Sequence, residues 1–228
     1  MIRPKGRHNI PQVLLSFGRH LVYAEGTKTE PLYVEDLKLL VSEKLKVDKR
    51  DIEIVPVPIT KTKHTCELVE YARDDVLRRK RKGEVINYVW IFYDKDSFDD
   101  FDEAYRLIKS YNDNDSDDIT WFACWSNECF EVWVYHYFEK LNTPLDRDDY
   151  IPKINEFLKK RGCKEEFTKN RKDLHHFLIN NGGDIEKAIK WMKAADNGSD
   201  KKPNPSSGIY QFVEYIMVYI NKQSKEEE

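Results

Sequence analysis

From His20 onward, short apolar runs alternate with amphipathic stretches, so the spacing of apolar positions switches repeatedly between a strand period and a helix period. "RHLVYAEG" reads as a strand that stops at Gly26. In "TEPLYVEDLKLLVSEKLKV", Leu32, Val34, Leu37, Leu40, Val41 and Leu45 fall at helical spacing, with Thr29 as N-cap and Pro31 in the first turn, where its missing N–H costs nothing. "DIEIVPVPI" alternates as a strand does, and Pro56 and Pro58 drive its far end to an edge or out of the sheet. "HTCELVEYARDDVLRRKRK" carries a helical stripe of Leu68, Tyr71, Ala72, Asp75 and Leu77, with one aspartate inside it. The near-continuous apolar run from Val85 to Tyr93 predicts a central strand covered on both faces. A polar helix from Phe98 to Tyr111 and the turn "NDNDSDD" lead to a fourth strand, "ITWFACW". This β-α-β-α-β-α-β order predicts an α/β fold: a mainly parallel four-stranded sheet flanked by helices.

After Trp125 the pattern changes. "SNECFEVWVYHYFEKL" opens on the cap-forming Ser126 and Asn127 and is then apolar over so wide an arc that it predicts a largely buried helix. Helical rhythm continues from Ile154 to Lys160, from Asp173, and through "DIEKAIKWMKAAD". "NGSDKKPNPSSG" is a loop by composition, and "IYQFVEYIMVYINK" reads as a closing buried helix. On that last helix Tyr210, Phe212, Tyr215 and Tyr219 are either core or an interface. The expected organisation is an N-terminal arm (1–19), an α/β domain (20–141) and a C-terminal helical cap (142–228), packed on the sheet as one compact unit.

Charge adds little at the level of the whole chain. With 38 basic and 41 acidic residues among 228, the net charge of −3 gives no general attraction to nucleic acid, so such a partner has to meet a local patch. "RRKRK" (Arg78 to Lys82) is one, although cations also suit a helix C-terminus. Cys66, Cys124, Cys129 and Cys163 form no CxxC pair, and neither Cys nor His falls at zinc-ligand spacing. With no apolar run of membrane-spanning length, the sequence is expected to be cytoplasmic and to make no membrane contact.

Acids at the ends of strands change the picture. Ligands of open α/β sheets bind beyond the carboxyl ends of the strands. Glu25 follows "LVYA", and Asp94 and Asp96 follow "VWIFY". Residues two apart on an extended chain point the same way, so Asp94 and Asp96 converge while Lys95 faces away. Such a pair suits a hard divalent ion, Mg2+ or Mn2+, which also relieves the repulsion between crowded carboxylates. The same residues admit a plainer reading, with Asp96 or Ser97 as the N-cap of the next helix. "AEGTKTE" strengthens the first reading, because a glycine turn feeding a helix is where backbone N–H groups meet phosphate. Thr27, Lys28 and Thr29 add donors there, and Glu30 either supports the site or is a first-turn acid suited to the dipole. Arg171, His175 and His176, from the cap, are candidates to reach across the site.

Four stretches, "YAEGTKTEPLY", "VWIFYDKDSF", "SNECFEVWVYHYF" and "NPSSGIYQFVEYI", resemble the RloB-like family in order and separation. The resemblance implies membership of the Toprim superfamily, and with it a Toprim-like sheet, in which Glu25, Asp94 and Asp96 are the catalytic and magnesium-holding acids. It implies phosphodiester hydrolysis of DNA or RNA, tRNA included, by an effector linked to an AAA or ABC-type ATPase encoded nearby in anti-phage or restriction-associated loci. A homodimer is among the assemblies it admits. Asn127 belongs to the third stretch, where Glu128 replaces the family's proline and Glu131 is either a site residue or a buried structural partner. In the fourth stretch Ser207 replaces threonine, and Asn204 and Ser206 are expected near the site. Two alternatives stand beside the nuclease: a non-catalytic metal-binding module that docks the ATPase, and other Toprim phosphotransfer chemistry.

Overall fold

The computed structural model describes residues 17–45, 48–61, 64–95, 99–114 and 118–226. Asp96, Ser97 and most of the N-terminal arm therefore lie outside the described residues. The strands are β1 (His20–Ala24), β2 (Ile52–Ile54), β3 (Tyr88–Asp94), β4 (Thr120–Asn127) and β5 (Ser206–Ser207), arranged β2-β1-β3-β4-β5. The first four run parallel and β5 is antiparallel, so the sheet is mixed and five-stranded rather than four-stranded.

β3 explains how the chain is layered. Val89, Ile91 and Tyr93 enter one core, and Trp90 and Phe92 the other, the alternation that a pleated strand imposes on a continuous apolar run. The strand begins later than the sequence pattern suggests, since Val85 is 75% exposed. Helices α1 (Thr29–Leu45), α2 (Thr65–Arg81) and α3 (Phe101–Asn114) follow the strands as expected, with α2 and α3 on the Val89 face. The Asp75 that interrupts the α2 stripe is buried because Tyr23 Oη donates to it at 2.8 Å and Arg79 Nε at 2.7 Å. Arg79 is thus a counter-ion of the fold, while Arg78 pairs with Asp75 from the surface and, with Arg81 and Lys82, stays exposed. β2 is the edge strand of the sheet: Val55 N still donates to Val22 O at 2.8 Å, and Pro56, next along, falls on the side that faces no neighbouring strand.

The other face holds α1 and everything after β4: α4 (Glu131–Tyr135), α5 (Tyr150–Lys160), α6 (Leu174–Asn180), α7 (Ile185–Ala195) and α8 (Tyr210–Glu226). Trp90 stacks on Phe122 at 4.0 Å between centroids, and Phe212 of α8 meets Trp90 edge-on at 5.1 Å. Phe212, Tyr215 and Tyr219 are buried, which makes the aromatic side of α8 core rather than interface.

Two local expectations are corrected. Ser126 and Asn127 are not helix caps; they extend β4 and pair with Ser207 and Ser206. The helix expected over "SNECFEVWVYHYFEKL" shrinks to the five residues of α4, although its buried character holds. β5 arises from the stretch read as loop. Gly208 makes it fit, since a Cβ there would come within 2.7 Å of the Ala123 carbonyl.

Candidate functional site

β1 and β3 are parallel neighbours with Ala24 opposite Phe92, so they end at the same rim. Glu25 N donates to Phe92 O at 2.9 Å, and the Glu25 carboxylate turns back to accept the Asp94 N–H at 3.2 Å. Strand pairing thus joins two acids that are remote in sequence. The Asp94 carboxylate in turn accepts the Phe130 N–H, at 3.2 Å, just before α4. Lys95 is exposed, as alternation predicts. A Cβ on Gly26 would lie 2.1 Å from Glu30 Oε2, so the glycine leaves room for a third carboxylate. Thr29 is the first residue of α1 rather than its cap: the Lys28 carbonyl accepts Leu32 N, and the Thr29 hydroxyl donates to the Lys169 carbonyl at 3.1 Å.

These groups line a cleft of about 440 Å³, walled by residues 25–30 on one side and by Phe130, Glu131, Arg147 and Lys169 on the other. Its electrostatics follow from burial and crowding. Burial, chiefly, and the charge of Glu30 push the Glu25 carboxyl up to about 7, against the opposing Asp94 N–H. Asp94 is raised well above the carboxylate range by burial, then by Glu30, Glu131 and Glu25. Glu30 is raised by burial and by Glu131. Glu131, 2% exposed, has Lys169 Nζ at 3.0 Å from Oε1. The donors are oxygens only, which fits a hard divalent ion that keeps several waters rather than a soft metal. Among the described residues no three His, Cys, Asp or Glu side chains are already grouped to hold a metal ion. Glu25 and Asp94 are brought together, and Asp96 lies outside the described residues.

A family model described as RloB-like protein matches residues 20–216, from the first residue of β1 into α8. The chain belongs to the RloB-like family. No curated protein and no solved structure matches it. No described helix is long and apolar enough to cross a membrane.

In this RloB-like chain the remaining sequence candidates divide. Lys28, Glu30 and Glu131 line the cleft. Asn127, Asn204 and Ser206 do not. The Asn127 amide donates to the Lys202 and Pro203 carbonyls, both at 3.1 Å, the Ser206 hydroxyl donates to the Pro203 carbonyl, and Asn204 is exposed. Asn127 and Ser206 secure β5 against β4. His175 and His176 belong to the seam between α1 and α6: His175 Nδ1 lies 3.1 Å from Tyr137 Oη, and His176 Nδ1 lies 2.6 Å from Asp36 Oδ1. Arg171 stacks over Phe177 and pairs with Glu165 and Asp173. Sequence reasoning missed Arg147 and Lys169. Neither sits in a recognisable motif, and only tertiary packing carries them to the cleft.

Proposed function

We propose that this RloB-like protein is a magnesium-dependent nuclease of Toprim type, the effector of an ATPase-linked anti-phage system that cuts DNA or RNA. The observation that carries the reading is the meeting of Glu25 and Asp94 at one rim of the sheet, with the Glu25 carboxylate on the Asp94 N–H at 3.2 Å. These two acids, joined by Asp96, would hold Mg2+ or Mn2+. When bound, the ion would orient the scissile phosphate and stabilise charge on the departing oxygen. In the metal-free cleft burial pushes the Glu25 carboxyl up to about 7, and a divalent ion held there would favour its charged form instead. Lys28, exposed on the turn, and the backbone N–H groups opening α1 are suited to meet phosphate oxygens.

One observation favours the docking-module alternative: Lys169 already balances Glu131, so part of the acidic cluster has a counter-ion within the chain. The two readings part in one assay. The chain is co-expressed with the neighbouring ATPase, and the complex is incubated with DNA and with RNA in Mg2+ and in EDTA. The nuclease reading predicts metal-dependent cleavage that Asp94→Ala abolishes without changing the circular dichroism spectrum. Cleavage at the wild-type rate by Asp94→Ala would remove the reading, and a complex that cuts neither nucleic acid supports the docking module.

A further inference from the structure

The cap delivers two cations to the cleft that no motif marks. Arg147 opens the turn of 3-10 helix before α5, and Lys169 lies in the loop between α5 and α6. The Thr29 hydroxyl holds the Lys169 carbonyl at 3.1 Å, tying that loop to the first turn of α1. The Lys169 ammonium is 3.0 Å from Glu131 Oε1, yet its side chain remains 46% exposed, so one side of it faces open cleft. Arg147 lines the same cleft, where its charge acts on both Glu25 and Glu30.

The cleft holds four carboxyl groups in a chain of net charge −3, so the overall charge draws no nucleic acid strand to it. Affinity for a polyanion has to come from cations placed at the cleft itself. Resting on the nuclease reading above, we infer that Arg147 and Lys169 form a phosphate clamp. They bind non-bridging oxygens of the phosphates flanking the one at Glu25 and Asp94, and Lys169 leaves Glu131 for the strand. The substrate class is a strand of DNA or RNA gripped through its backbone and not through its bases. The cap is then part of the binding site, and substrate lies between it and the sheet.

The test uses the full chain and short labelled single-stranded DNA and RNA oligonucleotides, with Ca2+ as a non-cleaving metal and fluorescence anisotropy over a salt series. Arg147→Met and Lys169→Met are each expected to weaken binding about tenfold, whatever the sequence. Each is also expected to flatten the slope of log K against log salt by about 0.7, the value for one lost single-strand phosphate contact. Arg147→Lys and Lys169→Arg are expected to restore the slope. Lys169→Met combined with Glu131→Gln leaves no unpaired buried acid at that pair and is expected to show the same flattening, which separates phosphate binding from support of the fold. Slopes equal to wild type in the Met variants, or a wild-type chain that binds neither oligonucleotide, overturn the clamp. A parallel manganese titration reports on the nuclease reading alone: loss of ion binding by the wild type removes that reading, whereas the salt slopes still judge Arg147 and Lys169.

Discussion

At the scale of single residues, burial decides which charges the chain tolerates. Asp94 is held in a desolvated site beside Glu25, Glu30 and Glu131, and its neutral form is favoured there. In metal-free buffer Asp94→Asn is expected to melt higher than wild type, by about 2–4 °C for each kcal/mol of relieved repulsion. Added Mn2+ is expected to raise the melting temperature of the wild type and not of the variant, as differential scanning fluorimetry would read. His20 shows the opposite logic. Trp90 Nε1 donates to its Nδ1 at 3.0 Å, so Nε2 carries the hydrogen and donates to the Phe17 carbonyl at 2.9 Å. Burial lowers its pKa from 6.5 to about 3, and His175, also buried, falls to about 4. The unfolded chain binds more protons than the folded chain between those values and 6.5. The contribution of these two histidines to stability is therefore complete above pH 6.5 and declines toward pH 3, at up to about 1.4 kcal/mol per pH unit for each, while Glu25, Asp94 and Glu30, whose carboxyls are raised, shift stability the opposite way over part of that range. The stability difference between wild type and His20→Gln, read by urea titrations from pH 6.5 to 4, is expected to follow that slope because the acids cancel in the comparison, and a difference that stays flat across the range would contradict it. None of this was visible in the sequence, where His20 is one polar letter before an apolar run.

At the scale of elements, legibility tracks how local the determining contacts are. β3 was readable because a strand buried on both faces has to be apolar at every position, and Tyr88–Asp94 supplies that signature by itself. The edge position of β2 was readable because prolines such as Pro56 and Pro58 are confined to edge strands and strand ends. β5 was not readable, since two serines carry no strand preference and their pairing depends on Ser126 and Asn127, far away in the chain. Those two residues misled for a related reason: serine and asparagine favour helix caps, and only the arrival of Ser206 and Ser207 makes them strand. The aromatic side of α8 was ambiguous until its partners were known. Phe212, 0% exposed, packs edge-on against Trp90 and against Phe92 at 5.5 Å. Phe212→Ala is expected to cost about 3–5 kcal/mol in urea unfolding, the range for emptying such a site. A loss below about 1 kcal/mol would mean that α8 is not packed as described.

At the scale of the whole molecule, the cleft is a product of two layers. The sheet contributes Glu25 and Asp94, whose meeting could be anticipated because both follow strands and parallel strands end together. The cap contributes Arg147 and Lys169, which could not be anticipated, because the link between Thr29 and Lys169 exists only once α6 packs on α1 and brings the preceding loop with it. That division explains why a resemblance confined to motifs pointed to the acids and passed over the cations. The central claim is that the rim acids hold a divalent ion for phosphodiester chemistry. Its most direct test is calorimetric titration of Mn2+ into the wild-type chain, Glu25→Gln and Asp94→Asn. The account predicts a binding isotherm for the wild type that is weakened at least about tenfold in either variant, as expected when one of so few protein ligands is lost. Isotherms of equal affinity in all three proteins, or none in the wild type, would contradict it.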